Sequence, residues 1–307
     1  MRSPTLSELP APGPGRAGWP WTEETPQLTE TTPDGHQWPL ISIVAPSFNQ
    51  AEFIEETIRS VLLQGYPNLE FIITDGGSTD GAIEIIRKYQ RWLAAWVSEP
   101  DQGQSDAINK GFRMSHGSIL AWVNTDDTYE KGAFAKVGAY FVAHPEIDVL
   151  YGNAKITDRM GSVIAELRTV PFSKGAFLYN TVQIAVQSAM FWRREPFFSV
   201  GLVDEGLHYA MDVDLLVRFV KSGATFGFTR TWLGTYRHHD GSKTVSSQGA
   251  SANEADKIEA LGRLGSSPSY RLVRFLYRMR QFALLICQGD IRYVISRIMS
   301  RFHEVPW

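Results

Sequence analysis

The chain has 307 residues, 43% hydrophobic and 21% charged, a globular balance that suits one large α/β domain with an appendage or two modest domains. A formal net charge of -3 excludes a general attraction to nucleic acid, and a single cysteine, Cys287, excludes an intramolecular disulfide and a thiolate metal cluster. No continuous apolar segment precedes Leu40, so neither a signal peptide nor a membrane span is expected at the start, and the catalytic part is expected in the cytoplasm.

Residues 1–38 carry Pro4, Pro10, Pro12, Pro14, Pro20, Pro26 and Pro33 among Gly, Thr and Glu, with no helical or strand period. They are expected to form a disordered or loosely docked tail, with Trp19, Trp21 and Trp38 as candidate anchors. Residues 39–246 then read as the main domain. Ile41 to Ala45 predicts a strand, and Ile54, Ile58, Val61 and Leu62 recur at helical spacing before Gly65-Tyr66-Pro67. A strand over Leu69 to Thr74, a helix near Thr79 to Trp92, a short strand near Ala95 to Ser98 and a helix near Ser105 to Met114 follow. Ile119 to Val123 predicts the next strand. This βαβα order predicts a mostly parallel sheet flanked by helices. Further on, a helix near Lys131 to Ala143, a strand near Val149 to Tyr151, an irregular stretch to Trp192, a helix near Asp212 to Ser222 and a strand near Thr225 to Tyr236 are expected.

Residues 247–307 read as helical, with a break at Ser266-Ser267-Pro268. From Ser266 to Phe302 seven arginines (271, 274, 278, 280, 292, 297 and 301) face one acid, Asp290, among apolar residues at helical spacing. Two readings are open: helices lying on an anionic membrane surface, at the inner face of the cytoplasmic membrane, or an amphipathic pair packed on the domain or a second subunit. The composition favours the membrane.

Four polar clusters fall at strand ends: Pro46-Ser47-Phe48-Asn49, Asp75-Gly76-Gly77-Ser78-Thr79-Asp80, Glu99-Pro100-Asp101-Gln102-Gly103 with Asp106, and Asn124-Thr125-Asp126-Asp127. In open α/β sheets ligands bind outside the carboxyl ends of the strands. Taken alone, Asn124-Thr125-Asp126-Asp127 reads equally well as an acidic turn and as a metal site. Taken together, strand ends that repeatedly finish in Asp gather negative charge, which a nucleoside diphosphate with a divalent cation would offset. Neither a Gly-x-x-x-x-Gly-Lys loop nor a Gly-x-Gly-x-x-Gly turn follows the first strand, so diphosphate charge must be neutralised by Mn²⁺ or Mg²⁺ instead of a glycine loop.

Those clusters, with Ser60-Val61-Leu62-Leu63-Gln64 and Asp106-Ala107-Ile108-Asn109-Lys110-Gly111, come in the order and spacing of family-2 glycosyltransferases, and the chain resembles that family from about Leu40 to Thr244. The resemblance implies a GT-A fold and an inverting transfer of a sugar from a UDP-, dTDP- or GDP-sugar to a glycan or glycolipid hydroxyl, with no nucleic acid partner. It implies that Pro46, Ser47, Asn49, Asp75, Asp106, Lys110 and Asn124 serve the nucleotide, Asp75 by contacting the base. By the same match Asp126 holds the ribose and Asp127 the metal. Met211-Asp212-Val213-Asp214-Leu215 resembles the family's Glu-Asp-x-Asp-Leu segment, which makes Asp212 the general base. Its other reading is a first-turn carboxylate favoured by the helix dipole. Arg237-His238-His239-Asp240-Gly241-Ser242-Lys243-Thr244 resembles a His-x-x-Ser-x-Thr segment, with His239 on the metal or pyrophosphate and Lys243 on the leaving group, and Gln187 matches a position near the acceptor side. A sugar nucleotidyltransferase and a scaffold without turnover are the rival readings. The first would need a glycine-rich basic signature after strand one, which Pro46-Ser47-Phe48-Asn49 lacks.

Overall fold

The computed structural model describes residues 2–178, 186–243, 254 and 270–300. The first half runs β1 (Ile41–Ser47), α1 (Ile54–Leu62), β2 (Leu69–Asp75), α2 (Ala82–Tyr89), β3 (Ala95–Ser98), α3 (Gln104–Met114) and β4 (Ile119–Trp122), with β1 to β4 all parallel. The second half adds α4 (Ala133–Ala143), β5 (Val149–Thr157), β6 (Val163–Leu167), α5 (Lys174–Leu178), β7 (Met190–Arg193), α6 (Arg194–Ser199), α7 (Met211–Ser222) and β8 (Phe226–Arg237). These strands form one eight-stranded sheet in the order β3-β2-β1-β4-β7-β5-β6, with β8 pairing β5.

Every residue of β1 is buried, which is why Ile43, Val44 and Ala45 run together instead of alternating with exposed polar residues. Ile41, Ile43 and Ala45 face one core with α1, α2 and α4, while Val44 joins Leu120, Trp122 and Phe112 in a second core under α3, α6 and α7. The chain winds β1-β2-β3 outward in one direction and returns to place β4 on the other side of β1. The carboxyl ends of β1 and β4 therefore flank a topological switch point, where a doubly wound sheet opens a crevice.

The irregular stretch expected before Trp192 contains, among its described residues, β6, α5 and most of β7. β7 runs antiparallel between β4 and β5, and its four residues are too few to show a period. β6 is an edge strand with mostly exposed side chains, so burial imposes no alternation on it. β5 extends past Tyr151 to Thr157 because β8 pairs along its length.

Residues 2–38, expected as a disordered or loosely docked tail with Trp19, Trp21 and Trp38 as candidate anchors, wrap onto α1 and α4. Arg59 of α1 is wholly buried, and its guanidinium donates to the carbonyls of Pro10, Pro20 and Trp21 at 2.9–3.1 Å. Thr25 and Leu28 donate their N–H groups to Leu63 O and Gly65 O, which finishes the carboxyl end of α1. Trp21 and Trp38 are buried, and the Trp19 indole donates to Tyr129 O. The prolines gave no period, but indole burial and backbone pairing do not need one.

Past β8 come α8 (Tyr270–Cys287) and α9 (Ile291–Ser300). Leu285 and Val294 pack on Val170, and Asp290 pairs with Arg168 and Arg230. The break predicted at Ser266-Ser267-Pro268 and the end at Arg301 and Phe302 lie outside the described residues.

Candidate active site

A cavity of about 650 Å³ opens at the switch point. Its floor comes from Pro46, Ser47 and Phe48 at the end of β1 and from Asn124, Thr125 and Asp126 after β4; Gly76, Asp101 and Gln104 form one wall, and Tyr236, Ser242 and Lys243 the other. The volume lies in the range of small-molecule sites. Two features of the floor ask for a ligand. Phe48 is 60% exposed, a large apolar ring left in the open, and the Ser47 hydroxyl is buried without a hydrogen-bond partner.

The acidic pair divides between two environments. Asp126 lines the cavity, with Oδ2 3.1 Å from His239 Nε2. Asp127 lies behind it, 3% exposed, where Oδ1 accepts the Arg237 N–H at 2.9 Å and the Asn124 amide approaches Oδ2. Burial pushes the Asp127 carboxyl up, and the charge of Asp126 adds to that rise. Asp127 Oδ1 is thus taken by the Arg237 N–H, and the carboxylate at the cavity is that of Asp126. Consecutive residues in a tight turn point apart, and β8 claims the second one.

His239 is buried against the Phe53 ring at 4.7 Å. Arg237, also buried, donates Nε to Asp126 O at 2.8 Å and pairs with Glu56 of α1 at 3.0 Å. Thr57, one residue on, donates to Asp127 O. Helix α1 and the end of β8 therefore grip the acidic turn from two sides.

Several expected nucleotide contacts stand one layer back. Asp75 is 2% exposed, and its carboxylate already accepts from Gly77 N, Ser78 N, Ser78 Oγ and Ser98 Oγ. Asn49, at φ 52°, accepts from Thr79 N and donates its own N–H to Ser78 Oγ, which ties the β1 and β2 loops together. Asp106 accepts from Gln102 N in the first turn of α3, and Lys110 pairs with Glu99 at 2.7 Å, which raises its ammonium above the ordinary lysine range. Gln187 donates to Trp122 O, and its Oε1 is buried without a partner.

Asp212 lies in the first turn of α7, half-buried and outside the cavity lining. Burial pushes its carboxyl up, against the pull of the Val213 N–H. The loop leading into α7 abuts the cavity wall: Leu207 O accepts from Ser105 Oγ at 2.7 Å, and His208 O from Lys243 Nζ at 3.3 Å. Loss of water around the Lys243 ammonium pulls it below the ordinary range, opposed by Asp101 and Glu254.

The family model for glycosyl transferase family 2 matches residues 42–199, half of the chain and the whole cavity floor. The chain belongs to this family. It is 27% identical over 280 residues to an O-antigen biosynthesis protein, RfbC, from Myxococcus xanthus, covering 86% of this chain but only 21% of that protein. Among solved structures, S. aureus TarS 1–349 with UDP-GlcNAc superposes at a TM-score of 0.56 with 18% identity, over 80% of this chain and 73% of that one. The mannosyltransferase PcManGT of Pyrobaculum calidifontis, with GDP-Man and Mn²⁺, gives 0.57 at 15% identity, over 89% and 82%. The fold is GT-A.

In this member of the family, sequence reasoning gave no role of their own to Phe48, Asp101, Tyr236 and Arg237, although all but Tyr236 stand in the clusters it singled out. An aromatic directly after a buried strand, and an arginine closing one, were the available signals, since neither suits a core. Asp101 stood in a strand-end cluster, with nothing in the sequence to give it a partner. Only the structure shows its carboxylate packed over Gly76, where a Cβ would lie 2.5 Å from Asp101 Oδ2.

Proposed function

We propose that this glycosyltransferase moves a sugar, with inversion, from a nucleoside diphosphate sugar to a hydroxyl of a glycan or lipid-linked glycan, assisted by Mn²⁺ or Mg²⁺. The observation that carries this reading is Asp126 beside His239 at the wall of a nucleotide-sized cavity. The pair fits a divalent cation. Two cis ligands at about 2.1 Å from an octahedral ion stand about 3.0 Å apart, close to the 3.1 Å between these atoms. Diphosphate oxygens and water would complete the shell. When bound, the cation would stabilise the charge that builds on the departing diphosphate.

The remaining work falls to the chain. The exposed Phe48 ring offers a face for the base, with a stacking contribution of about 1–3 kcal/mol, and the orphan Ser47 hydroxyl meets a polar edge of the same ligand. Asn124 and Asp126 are placed for the ribose and diphosphate. Asp75 then serves the base less by direct contact than by fixing the turn that carries Gly76. Lys243 supplies positive charge at the lip where the diphosphate departs. Asp212 takes the proton from the acceptor hydroxyl as that oxygen attacks the anomeric carbon from the face opposite the nucleotide. Its raised pKa favours this, because a stronger base accepts the proton more readily. The O-antigen relative and the sugar-nucleotide complexes of TarS and PcManGT support a polysaccharide setting.

Release of nucleoside diphosphate from UDP-, dTDP- and GDP-sugars, measured with glycan acceptors and Mn²⁺, tests the reading. We expect one donor to be turned over and the product to carry the opposite anomeric configuration by NMR. Turnover that survives unchanged in Asp126→Asn, or a retained configuration, would sink it.

A further inference from the structure

Helix α8 presents an apolar stripe to solvent. Leu272, Phe275, Leu276, Met279 and Ile286 are 46–62% exposed, with Ala283 exposed among them. At 3.6 residues per turn these six positions fall within an arc of about 100°. The opposite side of the helix, through Leu285, packs on Val170, so the outward stripe is not the face that holds the helix to the domain. Ile291 and Ile295 of α9 are 51% and 50% exposed and continue the apolar surface. Side chains of this size are seldom left open in such number on one short pair of helices.

The charge beside the stripe has one sign. Arg280 and Arg292 are exposed, whereas Asp290, the single acid of the two helices, is 8% exposed and occupied by Arg168 and Arg230. That pairing removes the only negative charge from the rim and pins the α8–α9 corner to the end of β6. Among the described residues no helix is long and apolar enough to cross a bilayer. We infer that the outward face of α8 and α9 seats this glycosyltransferase on an anionic lipid surface, with the apolar stripe in the acyl boundary and the arginines at the headgroups. This rests on the proposed function in one respect only: it brings the cavity to an acceptor held on lipid.

Sedimentation of the full chain with vesicles tests it, with no donor or acceptor present, so the outcome is independent of turnover. We expect binding to phosphatidylcholine vesicles that contain phosphatidylglycerol and little to phosphatidylcholine alone. Added salt should weaken the binding. Phe275→Asp with Met279→Asp should lower the partition about tenfold or more, as should Arg280→Glu with Arg292→Glu, while circular dichroism and turnover of a soluble acceptor stay as in the parent. The second variant touches only exposed charge, so it decides the matter if the first fails to fold. Equal binding to neutral and anionic vesicles, or unaltered binding by the charge-reversed variant, overturns the inference. So does a dimer in sedimentation velocity that Phe275→Asp dissociates, which would assign the stripe to a second copy of the chain.

Discussion

Asp126 and Asp127 are neighbours of one chemistry in two environments, and their surroundings assign the work. Asp126 faces the cavity beside His239, whereas Asp127 is buried on Arg237 N–H with its carboxyl pushed up. Asp126→Asn should cost about 10²-fold or more in kcat with little change in melting temperature. Asp127→Asn keeps the size of the side chain but sets an amide N–H against one of two donors, so it should lose less than about tenfold in kcat and show its effect mainly as a lower melting temperature. Steady-state kinetics beside calorimetry separate the two, and an inactive, fully stable Asp127→Asn would reverse the assignment. Asp212 carries a pH signature. Its carboxyl must be ionised to accept a proton, and burial raises its pKa, so kcat should fall as pH drops through a value above the ordinary carboxylate range. Asp212→Asn should remove about 10²–10⁴-fold of kcat while nucleotide binding is retained. An acid limb unchanged in a residually active Asp212 variant would move the base elsewhere.

At the scale of elements, the motif Asp106-Ala107-Ile108-Asn109-Lys110-Gly111 matters for what it seats, not for what it touches. Asn109 is buried and donates to Val203 O and Glu205 Oε1 at 2.8 Å while accepting from Val203 N, so α3 holds the segment that leads towards α7 and Asp212. Gly111 lets α3 lie close on β1, where a Cβ would stand 2.4 Å from Val44 Cγ1. Asn109→Ala leaves buried backbone groups at Val203 unpaired and should cost about 1–3 kcal/mol, read by urea denaturation. Arg59 does the same for the amino-terminal segment. Arg59→Met should cost about 3 kcal/mol or more and expose the chain near Arg16 to limited trypsin digestion, because three buried carbonyls lose a charged donor. Such roles explain what the sequence could reveal. Continuous apolar runs and helical spacing made β1 to β4 and α1 to α4 legible, since burial writes those patterns directly. β6 and β7 were not, one being an exposed edge and the other four residues long. For residues 2–38 the indoles were legible as candidate anchors, but the buried arginine that holds the segment was not, since Arg59 lies farther along the chain. Within the site, residue types announced carboxylates at strand ends. Which of two adjacent carboxylates faces the ligand is a matter of turn geometry and of what β8 brings to it.

For the whole molecule, the cavity joins the carboxyl ends of β1 and β4 to the segment after β8, so a ligand there bridges parts of the chain nearly two hundred residues apart in sequence. Among the described residues no group of three His, Cys, Asp or Glu side chains converges on one point, and the Asp126–His239 pair is the closest approach to a cation site at the cavity. A cation held by two protein groups depends on diphosphate oxygens for the rest of its shell, so metal and nucleotide should stabilise the fold together and weakly apart. In calorimetry, Mn²⁺ alone should move the melting temperature little, and a nucleoside diphosphate alone only modestly. Both together, at about 100 times the dissociation constant, should add about 2.7 kcal/mol of stability. Asp126→Asn should leave most of the nucleotide's own shift in place and abolish the gain from Mn²⁺, since Phe48, Ser47 and Asn124 remain while the cation loses its carboxylate. Shifts that simply add, with no gain from combination, would mean that cation and diphosphate do not share a site, and the Asp126–His239 pair would then be no more than a hydrogen bond that steadies the turn.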